Sequence, residues 1–272
     1  MTTKHGKQLA LGPAFEEVLG ARIVALALDT DRLGTFSGEI ERVGTPVECA
    51  RRKCEWGLEV GGGELGVASE GSFGPHPVVP FLGSGEEVLY FIDRKRDFQL
   101  HVRHSGLETN FRSATVDRLA ELHAFAETAG FPGHALILRA AGPVAAGVLH
   151  KGLRTVKALE AAFAASREAS AAGSVHVETD MRAHRNPTRM ETIRALAGEL
   201  ARRLATPCPA CAAPGWGRVG VERGLACAWC GAETGRVRRE VLGCAKCAHR
   251  ERRAPAHGLE KADPGDCPRC NP

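Results

Sequence analysis

The spacing of apolar residues divides the first 206 positions into alternating helices and strands. Residues 14–19 predict a short helix, and the continuous apolar run 23–28 predicts a buried strand. Thr45-Pro46 predicts the start of a second helix, because threonine caps a helix and proline fits its first turn. Residues 65–69 predict a strand that enters a polar loop at Glu70.

The same alternation continues along the chain. Two segments, 87–92 and 98–103, flank the charged stretch Asp93-Arg94-Lys95-Arg96 and predict a hairpin. The remaining elements are two helices and two short strands, over 115–128, 153–171, 135–138 and 175–177 respectively.

The clearest helix closes this part of the chain. Asn186 caps it, Pro187 takes its first position, and one apolar stripe follows at helical spacing, namely Met190, Ile193, Ala197, Leu200 and Leu204. Such a stripe is typical of core packing. We therefore predict an α/β domain over residues 1–206, with a mixed β-sheet and flanking helices, followed by a separate module over residues 207–272.

Eight cysteines dominate the module, arranged as four Cys-x-x-Cys pairs. In chain order the first to fourth pairs are Cys208/Cys211, Cys227/Cys230, Cys244/Cys247 and Cys267/Cys270. Both sulfurs of such a turn reach one metal, and two turns complete the tetrahedral set that zinc prefers. Since four thiolates leave no position for water, the sequence predicts two structural zinc sites in a small double zinc ribbon.

Spacing alone does not fix which pairs share a metal. Gaps of 15 residues between the first and second pairs, and of 19 between the third and fourth, favour pairing in chain order. Crossed and nested arrangements stay open, because 13 residues separate the second pair from the third.

Charge narrows the range of partners. Residues 207–272 hold 11 Lys and Arg against 7 Asp and Glu, whereas residues 1–206 hold 25 of each sign. A zinc ion held by four thiolates is a net anion, so two such sites offset the basic excess and remove the simple argument for nucleic acid. No apolar run is long enough for a membrane span, and the first residues lack a signal-peptide core. We expect a cytoplasmic protein with reduced thiols and no membrane partner.

Two tryptophans and two further cysteines have plain interpretations. Trp216 and Trp229 lie near the cysteine turns, where packing is favoured over stacking on nucleic-acid bases. Cys49 and Cys54 are five residues apart on a predicted helix and point in different directions. We interpret them as small buried side chains.

Polar clusters in the first domain are candidate sites. The stretch Thr3-Lys4-His5-Gly6-Lys7 suits phosphate, through Lys4, Lys7 and main-chain N–H groups, or else forms a flexible basic terminus. Glu48 and Glu70 suit Mg²⁺ as a pair of carboxylates. The alternative is a solvated helix face and an ordinary turn.

A further cluster spans residues 178–189. Arg182, His184, Arg185 and Arg189 crowd the start of the last helix, where the helix dipole makes cations unfavourable. Either an anionic ligand or the acidic residues of the same segment must offset these charges. The residues do not decide between the two.

Nearly the whole chain resembles an uncharacterised bacterial family, a domain of unknown function. The stretches that carry the resemblance are residues 3–7, 29–31, 34–42, 69–77, 180–183, 186–190 and 270–272. The resemblance implies no activity.

The first domain is also similar to inosine/xanthosine triphosphate pyrophosphatases. Thr3 and Lys7, Glu48-Cys49-Ala50-Arg51-Arg52-Lys53, Glu70-Gly71-Ser72 and His184-Arg185 carry this resemblance, in that order. It implies a pyrophosphatase-like fold in which Lys7 and Lys53 hold phosphates and His184-Arg185 contacts a base. It also implies that Glu48 and Glu70 hold a Mg²⁺ ion that positions an attacking water.

Two functional hypotheses follow. The first is a Mg²⁺-dependent phosphohydrolase of a nucleotide or another phosphorylated small molecule, with Glu48, Glu70 and Lys53 as catalytic residues. Its substrate-binding candidates are Lys4, Lys7, Ser72, Arg182, His184, Arg185 and Arg189. The second is a non-catalytic zinc-ribbon protein that binds nucleic acid or a protein partner.

Overall fold

The computed structural model describes residues 1–30, 43–142 and 148–272. Residue 31 and the stretch 34–42, which carry part of the first resemblance, lie outside the described residues. The chain divides into two compact units. The first unit comprises Met1–Arg96 and His101–Leu200, and the second comprises Asp97–Leu100 and Ala201–Pro272.

The helices of the described residues are α1 Gln8–Leu19, α2 Pro46–Gly61, α3 Leu119–Thr128, α4 Val156–Glu168 and α5 Pro187–Ala205. Their ends follow local chemistry. Gly20 ends α1 in a left-handed conformation at φ 60°, which glycine adopts without strain. The predicted start of α2 is confirmed, because the Thr45 side chain accepts from the Glu48 N–H and the Glu48 carboxylate accepts from the Thr45 N–H.

The described strands of the first part of the chain form two sheets. One has the order β1-β2-β3, with β1 Leu65–Pro75, β2 Gly83–Asp93 and β3 Phe98–Gly106. The other has the order β4-β7-β5-β6, with β4 Ser113–Val116, β5 Leu136–Ala140, β6 His150–Leu153 and β7 Val175–Thr179. The mixed α/β class is confirmed. The prediction of one mixed sheet is wrong, because the strands lie in separate sheets. Among the residues described in this region, the parallel pairings are single bridges from Thr2 to Leu26 and to Ala68.

The predicted loop at Glu70 is instead the outer half of a strand. β1 runs on to Pro75 because β2 begins at Gly83 and pairs with it throughout, from Leu65 opposite Asp93 to Pro75 opposite Gly83. Glu70 and Ser72 therefore have fixed directions on a paired strand.

Other predicted bounds shift for local reasons. Residues 115–116 belong to β4, where Val116 is buried opposite Val175, so the predicted helix begins only after Arg118. Leu153 pairs with Leu136 in β6, and Thr155 caps α4 by accepting from the N–H of Ala158.

The predicted strand at 23–28 is also wrong. Leu26 makes a bridge to Thr2, but Val24 is 66% exposed, so the apolar run is not a buried strand.

Each sheet has its own apolar core. α2 packs Ala50 and Cys54 against Ala68, Val88 and Tyr90 of β1 and β2. The second sheet packs its buried leucines and valines against α3 and α4. The apolar stripe of α5 is buried at Ile193, Ala197, Leu200 and Leu204, as predicted.

The second unit contains a three-stranded antiparallel ribbon of order β10-β9-β8. The strands are β8 Gly217–Arg223, β9 Val237–Gly243 and β10 Arg250–Arg253. The boundary predicted after residue 206 falls one residue beyond the end of α5. In the described parts of the chain, no helix combines the length and the apolar character that crossing a membrane requires.

Candidate functional site

The eight cysteines of the second unit form two clusters with the geometry of tetrahedral metal sites. Cys208, Cys211, Cys244 and Cys247 form one cluster, and Cys227, Cys230, Cys267 and Cys270 form the other. In each cluster the sulfur atoms lie within 4.8 Å of one another, and the closest pairs lie 3.6 to 3.9 Å apart. A tetrahedral zinc ion with bonds of about 2.3 Å places its sulfurs about 3.8 Å apart. Two metal sites are thus supported, and the geometry is consistent with zinc.

The two clusters are crossed, so the prediction of pairing in chain order is wrong. The reason is the direction of the ribbon strands. The first pair precedes β8 and the second follows it, whereas β9 runs back and brings the third pair to the first. The register, with Gly217 opposite Gly243 and Arg223 opposite Val237, shows this reversal. β10 reverses again and leads toward the fourth pair, which meets the second.

The two tryptophans of the second unit differ in environment. Trp216 is 9% exposed and stacks on His249 with ring centroids 5.2 Å apart, so its packing interpretation is confirmed. Trp229 is 80% exposed, so the same interpretation is wrong for it. Its position between Cys227 and Cys230 lifts the side chain away from the protein interior.

In the first unit, Lys53 and Glu70 form a buried ion pair on the α2 side of β1. Glu48 lies apart from this pair. It is exposed, and its Oε2 accepts from the Thr45 N–H at 2.8 Å and from the Thr45 hydroxyl at 3.0 Å. These two hydrogen bonds lower the pKa of Glu48. Glu48 and Lys53 lie five positions apart, about 140° around the helix, which separates the exposed side chain from the buried one.

A second buried ion pair lies on the other face of the β1–β2 hairpin. Arg189 Nε donates to Glu87 Oε2 at 2.8 Å, and Arg189 Nη2 donates to Glu87 Oε1 at 3.2 Å. The same guanidinium donates to the Met181 carbonyl and lies 5.0 Å from the centroid of the Phe73 ring. Gly71 makes room for the pair, since a Cβ there would lie 2.6 Å from Arg189 Nη2 and from Glu87 Oε2.

Lys7 links the amino-terminal loop to this pair. Its Nζ donates to Ser69 Oγ at 2.7 Å and lies 3.9 Å from Glu87 Oε1. Burial, reinforced by the charge of Arg189, lowers the pKa of Lys7 to about 7. Lys7 therefore changes charge near neutral pH.

The charges in this region are nearly balanced without a further cation. Glu70 is neutralised by Lys53, and Glu87 by Arg189 with help from Lys7. Apart from the two cysteine clusters, the described residues hold no group of three or more His, Cys, Asp or Glu ligands close enough to share a metal. The carboxylates present therefore do not fit a resident Mg²⁺ ion.

A cationic face lies where the amino-terminal loop meets the segment before α5. It consists of His5, Arg154, Arg182, His184 and Arg185. The His5 and His184 rings stack with centroids 4.7 Å apart. Burial lowers the pKa of His184, and the charges of Arg182, Arg185 and Arg154 lower it further, which marks this face as electropositive.

Arg182 and Arg185 differ in how their charges are met. Arg182 forms a bidentate pair with Asp180, with Nε 2.9 Å from Oδ1 and Nη2 2.5 Å from Oδ2. Arg185 has a buried Nε with no hydrogen-bond partner among the described residues. Gly152, at φ 72°, lets the strand lie against both groups, since a Cβ there would lie 3.1 Å from Arg182 Nη2 and 3.4 Å from Arg185 Nε.

The remaining candidates have the following places. Lys4 forms an exposed ion pair with Asp29 at 2.9 Å, and Ser72 lies half-buried in β1 opposite Glu86. Sequence reasoning missed Glu87 and Gly152. Glu87 has a recognisable signal, an acid at the start of the predicted strand 87–92, whereas nothing local distinguishes Gly152.

The chain belongs to the DUF6671 family, a domain of unknown function, whose profile matches residues 53–272. The match begins at the buried Lys53 and includes the last cysteine pair. It covers Arg154, Arg182, His184 and Arg185 of the cationic face, whereas His5 lies outside it. Comparisons with curated proteins and with solved structures gave no match.

Proposed function

We propose that this member of the DUF6671 family binds a phosphorylated small molecule at the cationic face of its first unit, and that the second unit is a zinc-stabilised module. The observation that carries the proposal is Arg185. Its Nε is buried without an acceptor, in a group of cations whose nearby acid, Asp180, is already bidentate to Arg182.

A buried donor without an acceptor is costly, so its persistence points to an acceptor supplied by a ligand. Phosphate suits this position because guanidinium groups bind it through paired N–H donors. The stacking of the His5 ring on the His184 ring holds the amino-terminal loop against the same face. Any anion bound there raises the pKa of His184 and so favours its protonated form.

Hydrolysis of the bound molecule is what the resemblance to pyrophosphatases implies. Lys53 and Lys7 are instead buried in ion pairs with Glu70 and Glu87, and the pairing of Glu48 with Glu70 is not seen. The proposal is therefore limited to binding of the phosphorylated molecule. Turnover is measured in the same experiment.

The test uses the zinc-loaded full chain and isothermal titration with inorganic pyrophosphate and a panel of nucleoside triphosphates. Arg185→Gln should weaken binding at least tenfold, because a charge-assisted hydrogen bond contributes about 1.5–3 kcal/mol. Arg194→Gln is the matched control, since Arg194 pairs with the exposed Glu191 on α5. Its affinity should equal that of the unmodified protein.

No binding of any probe, or equal affinities for Arg185→Gln and Arg194→Gln, would contradict the proposal. Release of phosphate or pyrophosphate with added Mg²⁺, lost in Glu70→Gln, would extend the function from binding to hydrolysis. Binding without release would leave the protein as a non-catalytic receptor for the anion.

A further inference from the structure

A cavity of about 540 Å³ lies at the outer end of the β1–β2 hairpin. We call it the hairpin cavity. Its walls combine apolar and polar surface, and the apolar side chains include Pro75, Phe81, Leu107, Phe111 and Phe125. The volume is within the range of about 300–1,000 Å³ that small-molecule sites occupy. No residue of the cationic face lines it, so it is a second site.

The cavity is built by fixed contacts rather than by loose loops. β1 and β2 stay paired out to Pro75 and Gly83, and the tip is closed by a hydrogen bond from the His76 N–H to the Leu82 carbonyl at 2.7 Å. Gly83 allows the opposite wall to approach, because a Cβ there would collide with the Phe111 carbonyl oxygen.

The opposite wall is anchored to the second sheet and to the start of α5. The Arg112 N–H donates to Thr179 Oγ1 at 3.1 Å, and Asn186 Nδ2 donates to Asn110 Oδ1 at 2.7 Å. The cavity is therefore formed before any ligand arrives, which lowers the entropic cost of binding.

The apolar rim is more exposed than packing requires. Phe81 is 87% exposed, Leu107 is 52% exposed and Leu82 is 40% exposed. Large apolar side chains gathered around a cavity at the surface mark a site for an apolar group.

One cation distinguishes this cavity from a simple apolar hollow. Arg112 lines it and is exposed, and the ion pairs of the described residues give its guanidinium no carboxylate partner. The hydroxyl-bearing residues Thr109, Ser113 and Thr128 line the cavity beside it. A ligand with an apolar ring system and an acidic group matches this combination of walls and charge.

We propose that the hairpin cavity binds a small amphipathic organic anion, whose apolar ring system lies against Phe81, Leu107 and Phe125 and whose acidic group pairs with Arg112. This inference does not depend on phosphate binding at the cationic face. Either site can fail its test while the other passes.

Two fluorescent probes with the same rings separate the apolar and ionic contributions. 1-Anilinonaphthalene-8-sulfonate carries an acidic group, whereas N-phenyl-1-naphthylamine does not. The zinc-loaded full chain should bind one equivalent of each, and the sulfonate about three- to tenfold more tightly. Arg112→Gln should remove that preference and leave the affinity for the neutral probe unchanged. Arg194→Gln should keep the preference.

Filling the cavity tests its location. Leu107→Trp places a bulky indole ring in the cavity and should weaken the binding of both probes at least tenfold, whereas Leu65→Trp enlarges an exposed leucine of β1 that does not line it. Circular dichroism confirms that each variant is folded. Failure of both probes to bind, or equal binding by Leu107→Trp and Leu65→Trp, would overturn the proposal.

Two further outcomes also count against it. Equal affinities for the two probes in the unmodified protein would show that an acidic group contributes nothing to binding in this cavity. Loss of probe binding as protein concentration rises, together with a dimer in sedimentation velocity that Leu107→Trp abolishes, would assign the rim to a second copy of the chain instead.

Discussion

The buried pair of Arg189 and Glu87 gives the sharpest prediction about stability. Their side chains are 0% and 1% exposed, and two hydrogen bonds join them. Arg189→Met keeps much of the side-chain volume and removes the charge. Glu87 is then left with Lys7, whose Nζ lies 3.9 Å from the nearer carboxylate oxygen.

Removing one partner of a buried pair costs about 3–5 kcal/mol, because an uncompensated charge remains. Lys7 offsets part of this cost. Loss of the Arg189 charge removes one of the causes that lower the pKa of Lys7, so Lys7 is more fully protonated and pairs better with Glu87. We therefore expect a loss near the lower limit, about 3 kcal/mol.

Replacing both partners should cost much less than replacing one. In Arg189→Met/Glu87→Leu no buried carboxylate is left unpaired on this face of the hairpin. Exchange of a buried ion pair for apolar groups is often close to neutral, so we expect a loss of about 1 kcal/mol or less.

Hydrogen exchange, measured by mass spectrometry on the zinc-loaded full chain, reports these losses of stability peptide by peptide. A loss of about 3 kcal/mol accelerates exchange in β1 and β2 peptides roughly 100-fold, when opening is at equilibrium. Peptides from β8 and β9 serve as the internal reference. Unchanged exchange in Arg189→Met, or a double variant as destabilised as the single one, would refute the reasoning.

Three other changes test separate features. Burial lowers the pKa of Lys7 from 10.5 to about 7. Between pH 7 and pH 10.5 the unfolded chain therefore binds more protons at Lys7 than the folded chain does, so the free energy of unfolding rises with pH across that window. Urea titrations at pH 7 and 9 should show this rise shrink in Lys7→Met. In thermal unfolding, Gly71→Ala should lower the free energy of unfolding by about 1–3 kcal/mol, because the added Cβ crowds Arg189 and Glu87. Gly12→Ala should not lower it, because a Cβ at Gly12 meets no atom within 4 Å. In Cys208→Ser/Cys211→Ser, iodoacetamide labelling with mass spectrometry should find the third pair exposed and the second and fourth still protected; labelling of the second pair instead would restore pairing in chain order.

The metal ligands could be predicted from the sequence, but their partnership could not. A Cys-x-x-Cys turn is a local arrangement, so the residues themselves identify it. Which turns meet depends on the directions of β8, β9 and β10, and the loop lengths do not encode those directions.

The candidate site of the first unit shows a similar limit. The turn before α5 and its cluster of cations are visible in the sequence, because a capping asparagine and a proline mark the helix start. The partner of Arg189 is not, because Glu87 lies 102 residues away and depends on the pairing of β1 with β2.

Composition misled the prediction at Glu70. Glycine, serine and proline around it indicate a loop, yet the segment is held as a strand by an equally glycine-rich partner that begins at Gly83. The glycines of β2 make room for Phe73 and Phe111, since a Cβ at Gly85 or Gly83 would collide with them. The tertiary packing therefore overrides the local preference.

The crossed cysteine clusters also limit how this module can arise or be rearranged. The loop that closes the first cluster runs from Cys208 to Cys247 and contains the second pair, while the loop from Cys227 to Cys270 contains the third. Any contiguous piece of chain that includes one complete metal site also includes half of the other. During synthesis the first cluster is complete once Cys247 has left the ribosome. At that point Cys227 and Cys230 of the second cluster are already present, but Cys267 and Cys270 are not. Neither metal site can be duplicated, exchanged or deleted as one contiguous segment, so recombination can transfer the two sites only together.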